Sequence, residues 1–217
     1  MTEFEQICVQ QVNREFYLNL AILIIAVVSA ILFYIDYKYR KSKEKAEKSI
    51  QLAEVFANKI IRPLSIIGVF LEEKGIADII KNKKLIELEL FDINEMKSLY
   101  SEQDIKKVDA ILNESKEKKD QAMLLLINTT LNYLEAMCMY ISSNVANDKY
   151  IYPSLHQVLL GSVQTLYFNI AMLNTDVKDK YYCHLITVFN KWKNKYIKEC
   201  EKEREYIKKH SSGLPRI

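Results

Sequence analysis

Glycine and proline are scarce in this chain, with 4 Gly and 3 Pro in 217 residues. Turn-rich β architectures use both freely, so their scarcity beside abundant Leu, Ile, Lys and Glu favours long helices. Gly68, Gly75, Gly161 and Gly213 stand far apart, and neither GxxxxGK[ST] nor GxGxxG occurs. The phosphate loops of nucleotide-binding folds are therefore excluded. Cysteine and histidine are thin as well. Cys8, Cys138, Cys183 and Cys200 form no CxxC pair, and His156, His184 and His210 are the only histidines. No metal site and no cofactor are expected from so few soft ligands. Cys138, inside an apolar stretch, reads as a small buried hydrophobe. The net charge of +3 is too small to argue for double-stranded nucleic acid as a partner.

One long apolar run is present. Phe16 to Ile35 (FYLNLAILIIAVVSAILFYI) carries no charge over 20 residues, about 30 Å of helix and so the thickness of a bilayer's hydrocarbon core. Tyr17, Tyr34, Tyr37 and Tyr39 flank it, where amphipathic rings favour the headgroup zone. A cleavable signal peptide would show a basic start, a shorter apolar stretch and a small-residue cleavage site; these are missing. Lys and Arg number 1 in residues 1–17 and 6 in residues 36–48, which places the C-terminal side in the cytoplasm. The sequence thus predicts an all-α, single-pass protein of a bacterial inner membrane with its N-terminus outside. Its expected parts are a short extracytoplasmic segment (1–17), a transmembrane helix (18–37), a helical stalk (38–62), a cytoplasmic helical domain (63–209) and a tail (210–217).

Beyond the bilayer, Ala46, Ile50, Ala53, Ala57, Ile60 and Leu64 recur at heptad-like spacing. Either this stripe passes a movement between the two parts or it packs on its own domain. Pro63 should break or kink the helix. Short helices are expected over 64–100, with turns at Glu73–Gly75 and Phe91–Asn94. Ser101 and Asp104 form a capping pattern for a helix over 102–117. The strongest helix is expected over 120–144, another over 153–173 with Pro153 in its first turn, and a last one over 176–209. Within the strongest helix Asn128, Asn132 and Glu135 share one face. Such a polar stripe on a core helix must find partners.

LNYLEAMCMYI (131–141), the acidic loop after it, the apolar helix with Gly161 and the later helix with Trp192 together resemble an uncharacterised bacterial family of membrane-anchored helical proteins. That family carries Asn and, three residues on, Glu on a long helix; here these are Asn132 and Glu135. The layout is also similar in architecture and size to the membrane effectors of type III CRISPR systems that bind cyclic tetra-adenylate. That similarity implies a non-enzymatic cytoplasmic sensor, tetrameric around its messenger, that perturbs the membrane in antiviral defence.

The residues themselves suggest no catalytic group. Cys183 and His184 are adjacent and so diverge by about 100° on a helix, and no nucleophile, base and orienting carboxylate fall together. For an anionic ligand such as a cyclic oligoadenylate, the segment Asn147–Pro153 is the first choice. It sets Lys149, Tyr150, Tyr152 and His156 beside the expected amide donors of a helix start, with Lys83 and Lys84 behind them. Self-association as a homo-oligomer, a tetramer before a dimer, is expected from the stripe and from Ala26 and Ala30, a small-xxx-small pair in the membrane helix. The competing reading is a membrane-anchored helical scaffold or regulator with no small ligand.

Overall fold

A computed structural model describes the backbone of residues 3–112, 115–176 and 180–211, and side chains over 23–112, 115–176 and 180–210. The side chains of residues 1–22, Cys8 and the start of the expected membrane span among them, and the end of the tail lie outside the described residues. The described chain is helical and has no strand. It divides into two units, Met1–Lys45 and Ala46–Ile217.

The first unit is helical throughout its described backbone, within α1 (Glu3–Phe56). From Leu23 to Ile35 its ten large apolar side chains are each 49–75% exposed. Arg40 pairs with Asp36 at 2.9 Å, and the Lys41 ammonium lies over the Tyr37 ring.

The second unit holds the core. It begins at Ala46, so residues 46–62 of the expected stalk are part of the packed domain, with Ser49, Phe56 and Ile60 buried. The predicted seam packs on the domain only in part, with Ala53 and Leu64 against the core. Phe56 and Ile60 face inward while Ile50 is 61% exposed. Pro63 has no N–H to offer the carbonyl four residues back, and the chain widens into a π turn over Ala57–Ile61 instead of breaking. It then resumes as α2 (Arg62–Glu73). Gly75, at φ 66°, ends α2 with the Ile76 amide bonded to the Leu71 carbonyl. Short elements follow: α3 (Ala77–Lys81), a 3-10 turn (Leu85–Glu87), α4 (Ile93–Leu99) and α5 (Glu102–Leu112). The Ser101 hydroxyl accepts the Asp104 amide at 3.1 Å, as the capping pattern predicts; α5 stops at Leu112, short of the expected 117.

The central helix, α6 (Lys118–Ser142), packs against α2, α5 and the last helix. By length and composition it could cross a membrane, but Ile127, Leu131, Leu134, Met137, Cys138 and Ile141 are buried within this unit. Domain packing is therefore what its apolarity serves. Its first turn is pinned where Asp120 accepts from Lys74 at 2.9 Å and from the Ser115 hydroxyl at 2.7 Å. Those two donors hold the carboxyl below its ordinary range. Asn144, at φ 58°, closes the C-terminus.

Three further boundaries differ from expectation. The helix predicted to start at Pro153 begins five residues earlier as α7 (Asp148–Thr165), because the Asn147 side chain caps the Lys149 amide at 3.0 Å. Pro153 thus lies inside it. The same helix stops at Thr165 and restarts as α8 (Tyr167–Leu173). Near the break the Ser162 and Thr165 hydroxyls bond to the carbonyls of Val158 and Gly161, a back-bonding that bends helices. The last helix, α9 (Cys183–Ser211), starts seven residues later than expected. Asn174 holds the preceding loop by accepting the Tyr181 amide at 2.7 Å and donating to the Phe91 carbonyl at 2.9 Å. Tyr182 at φ 61° then redirects the chain.

Candidate functional site

The polar stripe of α6 finds its partners at the start of α9. Glu135 accepts the amides of His184 at 3.1 Å and Leu185 at 2.8 Å, so a carboxylate from another helix satisfies two of α9's four free first-turn donors. The Tyr182 hydroxyl lies 3.5 Å from Asn132 Oδ1. The Asn-x-x-Glu pair therefore docks one helix on another. Asn128, one turn earlier, lines a separate cavity with Asn169.

The predicted ligand residues divide into three groups. Tyr152 and His156 are packed between α7 and α9. The buried Tyr152 donates its hydroxyl to Glu199 at 2.6 Å, its ring stacks on His156 and meets Trp192 edge-on, and the Lys195 ammonium sits 3.5 Å from its centre. Burial and the Glu199 carboxylate push the phenol up. His156 Nδ1 lies 2.8 Å from the Tyr152 carbonyl; since a carbonyl only accepts, that nitrogen carries the proton. Asp148, at the head of α7, ties the same contact by accepting from Trp192 Nε1 at 2.6 Å and Lys191 at 2.8 Å. These two aromatic rings thus join helices. Sequence periodicity missed this because α7 was expected to begin after Tyr152, leaving Tyr152 in a loop.

Lys149 and Tyr150 form the second group and remain outside. Tyr150 is 56% exposed and borders an apolar groove of about 550 Å³ lined by Ala46, Ile50, Ala53, Ala57 and Ser154 among others. The small-residue stripe read from the sequence is thus one wall of that groove. Lys83 and Lys84 form the third group. The Lys83 carbonyl accepts from Gln164 at 2.9 Å, which places this pair at the far end of α7, about 22 Å along its axis from Lys149. The Lys83 ammonium lies over the Tyr100 ring, and the Lys84 amide is held by Glu87. The six residues do not converge on one site.

The densest polar arrangement in the domain was not singled out in the sequence. The buried Glu95 carboxylate accepts three successive amides, from Glu89 and Leu90 at 2.7 Å and Phe91 at 2.8 Å, and the Tyr167 hydroxyl at 3.0 Å. Such a backbone nest is an anion site, and here the protein's own carboxylate fills it. Asp92 caps α4 through the amides of Asn94 and Glu95 and accepts from Lys180 at 3.0 Å. Burial pushes the Asp92 carboxyl up, but these donors outweigh it and hold the group below its ordinary range. The fully buried Lys193 donates to the Leu88 carbonyl at 2.6 Å; burial lowers its amine, opposed by Glu89 and Glu95. The legible signal was Asp92-x-x-Glu95, a capping-box spacing. These groups are saturated and sealed, and they clamp the segment 88–92. Among the described residues no three His, Cys, Asp or Glu side chains gather as metal ligands.

No family model, no curated protein and no solved structure matches this chain.

Proposed function

We propose that this chain is a non-enzymatic, single-pass protein of the bacterial inner membrane, with residues 18–37 crossing the bilayer, the N-terminus outside and the helical domain in the cytoplasm. The observation that carries this reading is the exposure of every large apolar side chain from Leu23 to Ile35. Ten such side chains left half in water correspond to about 10 kcal/mol of unrealised burial, which lipid supplies. The lysine-rich flank after the run supports the orientation. Fractionation tests it: the full chain stays in membranes through high salt, and Cys8 labels from outside the cell while Cys200 does not. Release by salt, or the reverse labelling, refutes the reading.

Within it, the domain acts as an antiviral effector that senses a cyclic oligoadenylate and self-associates, a tetramer before a dimer. The observation favouring this is Tyr150, an exposed ring beside Lys149 on the rim of the stripe-walled groove; exposed aromatics stack on bases and lysines meet phosphates. A messenger acts only by binding two arrangements of the assembly unequally. Calorimetry with cyclic tri-, tetra- and hexa-adenylate, with Tyr150→Ala as control, tests the ligand, and cross-linking in membranes tests the oligomer. Absence of binding for all three leaves the anchored scaffold.

A further inference from the structure

The apolar groove beside Tyr150 does not end at Ala57. One turn further along both of its walls lies a second hollow of about 340 Å³, lined by Ile61, Ser65 and Gly68 on the α1–α2 side and by Val158, Gly161 and Thr165 on α7. Together the two hollows run from Ala46 to Gly68 on one wall, about 33 Å at the helical rise, and from Tyr150 to Thr165 on the other, about 22 Å. The large apolar side chains along them are left in water: Ile50 is 61% exposed, Tyr150 56%, Ile61 45% and Val158 43%. Gly68 and Gly161 are a second, separate observation. Both lie inside helices and neither has a positive φ, so glycine is destabilising there relative to alanine. A methyl group at either position would meet no atom of the chain within 4 Å. Neither a turn nor packing within the protomer calls for these glycines; a close approach from outside does.

We propose that this long groove is where a second copy of the chain docks, the exposed α1–α2 wall of one copy lying in the groove of the next. The inference rests on the self-association reading above and gives it a face. Copies anchored in one bilayer through residues 18–37 share orientation and depth, so the stretch that begins at Ala46, nine residues after position 37, stands level with its counterpart. Identical faces also bring like charges together. Among the described residues lining the two hollows Glu54 alone is charged, in a chain that is 27% charged. Depletion of charge marks the core of a protein interface, and a charged partner would have little to pair with here. The Ser162 and Thr165 hydroxyls already bond to carbonyls of their own helix, so closing the face strands neither. A face two helices wide, about 20 Å, over the roughly 22 Å common to both walls offers about 450 Å² per copy. Two such faces come close to the roughly 1,000 Å² of a specific contact, and anchoring in one membrane adds effective concentration.

The test is disulfide cross-linking of the full chain in native membranes, with Cys8, Cys183 and Cys200 replaced by serine. Single cysteines are introduced by Ile50→Cys and Ala57→Cys, and as controls by Leu90→Cys and Leu125→Cys, whose parent side chains are 54% and 69% exposed away from the groove. Oxidation should give dimer bands at positions 50 and 57 and at least about tenfold less at 90 and 125. Gly161→Leu fills the second hollow and should weaken the cross-links at 50 and 57 at least about tenfold, while the buried Trp192 keeps its emission. Cross-linking at 90 and 125 that matches or exceeds that at 50 and 57 overturns this face and leaves self-association standing. No cross-link at any position, with a monomer also by amine-reactive cross-linking, overturns both. The proposal is equally overturned if Gly161→Leu cross-links like its parent, or if it loses the Trp192 emission, which would show that the glycine serves packing inside the protomer.

Discussion

Replacing Glu95 by Gln changes the charge and one donor–acceptor position while keeping the shape, and the geometry sets its cost. Oε1 accepts from Glu89 and Leu90 and Oε2 from Phe91 and the Tyr167 hydroxyl. A glutamine in its better orientation turns its oxygen to the first pair and its NH2 to Tyr167, whose hydroxyl rotates to accept. The Phe91 amide then faces a donor and is left buried and unpaired. One lost charge-assisted bond, with the weakening of the others, amounts to about 3 kcal/mol. For a domain of this size that is about 6–12 °C in melting temperature. Trp192 is the only tryptophan and is fully buried, so its fluorescence reports unfolding of the full chain in detergent. Glu102→Gln is the control, because Glu102 makes an exposed pair with Lys106 at 2.7 Å worth at most about 0.5 kcal/mol. A Glu95→Gln variant that melts within about 2 °C of that control refutes the nest as the clamp of residues 88–92.

Glu135→Ala uncaps α9 and should cost about 1–2 kcal/mol; hydrogen exchange should quicken at the amides of His184 and Leu185, and unchanged rates there would remove the trans-cap. Asp92 and Asp120 both have carboxyls held below their ordinary range. Their stabilisation is complete above the unfolded carboxylate value of about 3.9 and is lost as pH falls through the lowered folded values. Unfolding free energy should therefore hold to about pH 5 and fall below it, and a double Asp92→Asn, Asp120→Asn variant should show a flatter acid limb in urea titrations. Tyr152→Phe removes the hydroxyl bonded to Glu199 and should cost about 1 kcal/mol while leaving any oligoadenylate affinity unchanged; loss of that affinity on this change would return Tyr152 to the binding surface.

How much of this was legible beforehand depended on the range of the interaction. The all-helical class followed from scarce Gly and Pro and from apolar periodicity, and the turns at Gly75 and Phe91 and the Ser101 cap were read correctly because each is set by neighbours within four residues. The long uncharged run at 16–35 is likewise a property of consecutive residues. Start points moved wherever the deciding partner was distant in sequence. The first turn of α9 lies at Cys183 because Glu135 and Asn174 reach it from other segments, and the roles of Tyr152 and His156 turned on an α7 that begins at Asn147's cap. Glu95 was written in the sequence as one half of a capping box, but nothing local marks it as the acceptor for a backbone nest, nor Lys193 as a buried amine on the Leu88 carbonyl. Likewise, Asn128 and Asn169 are 41 positions apart, and only the packing of α8 against its neighbours gives them one cavity. Local propensity decides which segments coil; which side chains then lose water together is decided by tertiary packing, and that loss is what sets their chemistry.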